Sequence, residues 1–182
     1  MALRIASIVG SLRRDSLNRR LHDALLRLAP ADLSFHDVPI GHLPLYNQDE
    51  EADPAEPVRR LKRPIAEADG VLFVTPEYNR LIPGVLKNAL DHGSRPPGES
   101  VWAGRPAGII GVSQGKIGTA LAQQHLRNIL AYLDMPTLGQ PEAFIQWSDA
   151  MLDADGTIAA GSRAFLQGWM DRFAGWVRRH AG

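Results

Sequence analysis

The feature that most constrains the fold is a short turn, Gly10-Ser11-Leu12-Arg13-Arg14-Asp15-Ser16-Leu17-Asn18, set between two apolar patterns of different period. Before it, Leu3 to Val9 is a continuous run rich in Ile and Val, as in a strand. After it, Leu17, Leu21, Ala24, Leu25 and Leu28 recur on one helical face. The turn is therefore a strand-to-helix connection at the C-terminal end of the first strand, where open parallel α/β sheets bind ligands. Its residues suit an anion: hydroxyls and backbone N–H groups surround it, Arg13 and Arg14 add charge, and the helix N-terminus adds its dipole. Ser16 is a good N-cap. The same residues also describe a capped helix start with two solvated arginines, and the turn alone does not separate the two readings.

The turn is not a dinucleotide fingerprint, which needs G-x-G-x-x-G and here has only Gly10. Nor is it a Walker loop. A later near-miss, Gly111-Val112-Ser113-Gln114-Gly115-Lys116-Ile117, has a gap one residue too short and Ile where Ser or Thr is required.

Beyond the turn, apolar runs alternate with helical patterns. Strands are expected over about 3–9, 33–38, 71–75, 106–112 and 143–145. Helices are expected over about 16–29, 58–68, 83–91, 118–133 and 162–180, with Pro64 a point of kinking or restart in the second. This order predicts an α/β fold with a parallel sheet. The 182 residues read as a single domain, 1–182, with no internal repeat. The segment 39–57 is long, rich in Pro and acids, and carries Leu43, Leu45 and Tyr46, which predicts that it is docked against something. Residues 148–161 read as an exposed connection. In the last helix Phe165, Leu166, Trp169, Met170, Phe173, Trp176 and Val177 form a stripe that belongs to core or subunit interface.

Charge and composition narrow the function. Lys plus Arg is 20 and Asp plus Glu is 20, so net charge is zero and there is no electrostatic case for nucleic acid. No cysteine is present, which excludes disulfides, thiol relays and Cys-based metal sites. Redox chemistry would have to ride on an organic cofactor or a non-Cys metal site. The six histidines, at 22, 36, 42, 92, 125 and 180, show no ligand spacing, so no metal site is expected. No apolar run is long enough for a membrane span and no signal pattern opens the chain, so a cytoplasmic protein is expected.

The third and fourth strands end at the same sheet edge as the first, in Thr75-Pro76-Glu77-Tyr78-Asn79-Arg80 and in Ser113-Gln114-Gly115-Lys116. Three loops thus converge on one crevice. The first suits a phosphate. The second offers an aromatic ring, an amide and backbone groups fixed by Pro76. The third carries a glycine that admits close approach of a planar ring. Together they fit a phosphorylated aromatic cofactor.

Gly10-Ser11-Leu12-Arg13 with Ser16 and Asn18, followed by Pro76-Glu77-Tyr78-Asn79, Pro83-Gly84 and Leu86-Lys87-Asn88-Ala89-Leu90-Asp91, closely resembles the NADPH-dependent FMN reductase family, in its chromate, quinone and ferric reductase branch. The resemblance runs from the first strand to about Trp147. It implies a flavodoxin-like three-layer αβα sandwich with a five-stranded parallel sheet of order 2-1-3-4-5. It implies FMN as cofactor and NADPH or NADH as donor, with the phosphate held by Ser11, Arg13, Ser16, Leu17 and Asn18. The isoalloxazine would lie against Pro76, Glu77, Tyr78 and Asn79, partly on backbone groups, with Ser113 and Gly115 on its other side. It implies a homodimer or homotetramer with FMN near the subunit interface, where the 39–50 loop would reach a neighbour's flavin. Glu77 would position the ring, because hydride transfer needs no protein base and no residue is assigned a catalytic role. The activity implied is ping-pong transfer to a small acceptor: a quinone, free flavin, chromate, a ferric chelate or an azo dye. A non-enzymatic electron carrier or redox sensor on the same fold is the alternative, and the neutral net charge weighs against it. Trp102 and Trp147 read as core or interface, and Lys87 and Asp91 as a surface pair. Lys116 meets either a cofactor phosphate or solvent.

Overall fold

The computed structural model describes residues 2–181. Its strands are β1 (Leu3–Val9), β2 (Leu33–Asp37), β3 (Gly70–Val74), β4 (Ala107–Ser113) and β5 (Phe144–Gln146). Its helices are α1 (Leu17–Leu26), α2 (Glu56–Ala66), α3 (Gly84–Gly93), α4 (Ala120–Tyr132) and α5 (Ala160–His180). The strands form one sheet in the order β2-β1-β3-β4-β5, and every pair is parallel. The fold is the flavodoxin-like α/β sandwich that the sequence predicts.

Strand residues divide between two faces because side chains alternate along a strand. Ile5, Val9, Leu72, Val74, Ile110 and Val112 face α1 and α5, where they meet Leu21, Leu25, Trp169 and Phe173. Ala6, Ile8, Val71, Phe73 and Ile109 face α2, α3 and α4 and meet Leu61, Ile65, Leu86 and Leu126. The aromatic stripe of α5 is core: Leu166, Trp169, Met170, Phe173 and Val177 are buried, while Phe165 at its edge is half exposed. Trp102 is also core, with its indole donating to the Leu90 carbonyl at 3.0 Å.

Three expectations are refined. The segment 148–161 is exposed over much of its length, as expected, but it is anchored at three residues. Leu152 and Ile158 pair across an antiparallel bridge, and Met151, Leu152 and Ile158 are buried against α1 and α5. Helix α1 stops at Leu26, short of 29, where Arg27 closes its last turn. The helix α2 begins earlier than expected, at Glu56 with Pro57 in its first turn, and runs on through Pro64 to Ala66. Pro57 lacks only an N–H that a first turn leaves unpaired.

Close packing of α5 on the sheet depends on the absence of side chains. A Cβ at Gly108 would lie 2.4 Å from the Phe173 ring, and that ring is buried and stacked on Trp169 at 5.7 Å. Gly108→Ala is expected to destabilise the protein by roughly 1–3 kcal/mol through overpacking, read from the midpoint of urea unfolding. An unchanged midpoint would show that α5 moves without cost.

Candidate active site

The chain after β1 forms loop one, 10–16; that after β3 forms loop two, 75–83; and that after β4 forms loop three, 114–119. All three lie at the C-terminal edge, as parallel pairing of their strands requires.

Loop one feeds α1 through Ser16, whose hydroxyl accepts from Arg19 N at 3.2 Å while its carbonyl accepts from Arg20 N at 3.0 Å. A first turn leaves four N–H groups without intrahelical partners. The bond from Arg20 N is the first intrahelical one, and the Ser16 hydroxyl answers the N–H of Arg19, which leaves the N–H groups of Ser16, Leu17 and Asn18 at the mouth of the turn. Ser11 lies half-buried with its hydroxyl accepting from Arg13 N at 3.4 Å. Arg13 and Arg14 are exposed, and among the described residues neither meets an acidic side chain at salt-bridge distance. Gly10 is tightly enclosed: a Cβ there would sit 3.1 Å from Thr75 Oγ1 and 3.3 Å from Leu86. Free N–H groups, a helix dipole and two uncommitted guanidinium groups fit a phosphate.

Loop two is a tight hairpin. Tyr78 and Leu81 exchange both backbone hydrogen bonds, at 2.9 and 3.0 Å, and Asn79 and Arg80 between them have φ of 51° and 70°. Both signs match a type I′ turn. The Tyr78 ring is half exposed. The Glu77 carboxylate accepts from Leu121 N at 3.0 Å and Ala122 N at 3.1 Å through one oxygen, which caps the first turn of α4. Any contact of Glu77 with a ring in the crevice would therefore run through its backbone or through the remaining carboxylate oxygen. Pro76 is buried at the base of the loop.

Loop three is knotted by Ser113, whose hydroxyl contacts the carbonyls of Gly118 at 2.5 Å and Gly115 at 3.2 Å. The Ser113 side chain thus shapes the loop. Gly115 is open to solvent, with nothing nearer than Ser113 Oγ at 3.8 Å to an added Cβ. The residue that the sequence reading missed is Gly118. Its φ is +65°, and a Cβ there would lie 2.6 Å from Ile145 N, so only glycine lets loop three close over β5. The signal available was a second glycine three residues after Gly115.

Each of the three loops carries exposed apolar side chains. Leu12, Tyr78, Leu81 and Ile117, drawn from all three loops, are each about half exposed. On α1, the Arg20 guanidinium lies 4.6 Å from the centroid of the Trp147 ring. Lys116 is exposed, and among the described residues no acidic side chain lies at salt-bridge distance from it. Lys87 and Asp91 form the surface pair expected of them, at 2.7 Å. The 39–57 segment docks on its own subunit. Asn88 donates to the Pro44 carbonyl and accepts from Tyr46 N, at 2.7 and 2.8 Å, and His92 Nε2 lies 2.9 Å from the same carbonyl. Leu43 packs inward, whereas Leu45 is 85% exposed.

The sequence pattern of the NADPH-dependent FMN reductases matches residues 3–149. The chain belongs to this family. Among its relatives, a 2-hydroxy-1,4-benzoquinone reductase of a Burkholderia species is 57% identical over 179 residues, covering 98% of each chain. A quinone reductase of Pseudomonas putida is 47% identical and covers 96% of this chain and 94% of that one. Among solved structures, the flavoenzyme FerB, an NAD(P)H:(acceptor) oxidoreductase of Paracoccus denitrificans, superposes with a TM-score of 0.95. It is 47% identical and covered in full on both sides. The FMN reductase family uses NAD(P)H and FMN, and loop one carries backbone N–H groups and arginines of the kind that fit a phosphate.

Arg13→Ala is expected to weaken FMN binding about ten- to a hundredfold, the worth of one charge-assisted hydrogen bond. Flavin titration of the variant measures it. An unchanged dissociation constant would return Arg13 to a solvated surface arginine.

Proposed function

We propose that this chain is an NAD(P)H-dependent FMN oxidoreductase whose acceptor is a quinone, reduced by two electrons to the hydroquinone. The observation that carries the reading is the pairing, at one sheet edge, of a cationic phosphate turn with exposed apolar side chains. FMN, when bound, supplies the redox chemistry. The protein's part is to bind and orient. Ser11, Arg13, Ser16 and the N–H groups of Leu17 and Asn18 face the phosphate. Pro76, Tyr78, Asn79 and the backbone of Glu77 wall one side of the ring, and Ser113 and Gly115 wall the other. Leu12, Leu81 and Ile117 offer apolar contact to a flat acceptor. The relatives' names, which specify benzoquinone and quinone reduction, support the choice of acceptor.

No separate dinucleotide motif is present, so donor and acceptor use the same open face in turn. This reading places the enzyme in a compartment that holds NAD(P)H, the cytoplasm. Among the described residues no helix is long and apolar enough to cross a membrane. The test is a set of steady-state rates with varied NAD(P)H at several fixed quinone concentrations, on protein whose absorbance shows flavin bands. Parallel double-reciprocal lines are expected. Intersecting lines would mean that both substrates bind together, and a colourless protein that takes up no FMN and oxidises no NAD(P)H would overturn the reading.

The reading includes self-association. Leu45 and Tyr132 are each 85% exposed, and Tyr132 shares a cleft between α3 and α4 with Tyr46, Ile129 and Leu133. Exposed apolar residues around such a cleft fit a second copy of the chain. Light scattering over a dilution series is expected to give a dimer or tetramer. A monomer with full FMN affinity would remove the interface from the site.

A further inference from the structure

The strand β4 outlasts its neighbour. Thr75 N donates to Ile110 O at 3.0 Å, and then Pro76, with no N–H, turns the chain into loop two. On its other side β4 stays paired with β5 through Ser113, whose carbonyl accepts from Trp147 N at 2.7 Å. Successive residues of a strand point their backbone groups to opposite neighbours. Ile110 faces β3, Gly111 and Ser113 face β5, and Val112 faces the place that β3 has left.

Val112 is 1% exposed, so its N–H and C=O cannot turn to water. Asn18 answers both. Its Oδ1 accepts from Val112 N at 3.0 Å, and its Nδ2 donates to Val112 O at 2.9 Å. A primary amide carries the same donor and acceptor as a peptide group, so Asn18 stands in for the next rung of β3. Asn18 is in the first turn of α1, directly after loop one, and Val112 is the last residue but one of β4, directly before loop three. One side chain therefore joins loop one to the base of loop three across the opening where the sheet parts.

We propose that Asn18 is a positioning residue of the flavin site. Its side chain sets the spacing between the phosphate turn and the wall of the ring site, and the phosphate meets only its backbone N–H. The proposal rests on the FMN reading above. Its structural ground is independent of any flavin: the Asn18 residue is 3% exposed and both polar atoms of its amide are engaged.

Riboflavin, which has the ring and lacks the phosphate, separates a ligand from a positioning residue. Affinities for FMN and riboflavin are compared in wild type, Asn18→Ala, Asn18→Asp and Ser11→Ala. A phosphate ligand matters only to FMN, and Ser11→Ala is expected to behave so. Asn18→Ala is expected to weaken both flavins by about tenfold or more, and by nearly equal factors. Asn18→Asp keeps an acceptor for Val112 N but sets a carboxylate oxygen against Val112 O, so it is expected to weaken both as well. It serves where the alanine variant does not fold. Amide exchange in flavin-free protein gives a second readout. The Val112 amide is expected to exchange about tenfold faster or more in either Asn18 variant, with Ile110 unchanged. A loss confined to FMN, unaltered affinity for both flavins, or an unaltered Val112 amide would each overturn the proposal. Failure of the wild type to bind either flavin would instead overturn the functional reading, while Val112 exchange would still report whether the clasp exists.

Discussion

The structure depends on the parting of β3 and β4. An open parallel sheet takes a ligand outside the C-terminal ends of its strands at the switch point, here between β1 and β3, and the parting of β3 and β4 lies beside it. There β3 leaves the ladder after Thr75 N as the chain turns at Pro76, and β4 carries on against β5. Gly111 marks the point of separation. A Cβ there would lie 2.1 Å from Thr75 O and 2.5 Å from Thr119 Oγ1, so a side chain would force the strands and the start of α4 apart. The gap is then bounded by fixed points. Glu77 ties loop two to α4, Ser113 ties loop three to itself, and Asn18 ties α1 to β4.

Those ties divide labour within the motifs. The side chains of Ser16, Asn18, Glu77 and Ser113 are engaged in holding the frame. What faces the crevice is mainly backbone N–H, the Ser11 hydroxyl, the arginines and exposed apolar side chains. Charge follows the same division. Arg4, Arg59, Arg63, Lys87 and Arg178 each have an acidic partner, whereas Arg13 and Arg14 have none among the described residues. Exposed pairs contribute little to stability, but they cancel charge locally. Loop one itself carries Arg13 and Arg14 against a single acid, Asp15, and so keeps an excess of positive charge in a chain of zero net charge.

The parts of this arrangement that were legible in the sequence are those governed by short spacing. Strand runs, helical stripes and the Ser16 cap all act within a few residues, and the fold followed from their order together with the family motifs. The partners of Glu77 and Asn18 lie 44 and 94 residues away, so nothing in their local pattern shows that their side chains face inward. The same holds for 148–161, where a bridge between Leu152 and Ile158 anchors an otherwise largely exposed loop through Met151, Leu152 and Ile158. Docking of Pro44 and Tyr46 on Asn88 and His92 was foreseen as docking, but its place was not, because the contact spans most of two elements.

Loop two shows how far such a site is preorganised. A type I′ turn ordinarily takes glycine in its second central position, and this one has Arg80 at φ 70°. A left-handed conformation costs a residue with a Cβ roughly 1–2 kcal/mol. That strain persists only where surrounding contacts over-determine the backbone. The constraint is visible in the paired hydrogen bonds of Tyr78 and Leu81 below the turn and in the Glu77 cap behind it. Residues directly opposed across such a pair project to the same side. Tyr78 and Leu81 therefore form one rigid apolar surface at the edge of the crevice. Loop two acts as a wall of fixed shape, so a flat ligand that meets it orders little of the protein, and more of the contact energy remains for binding.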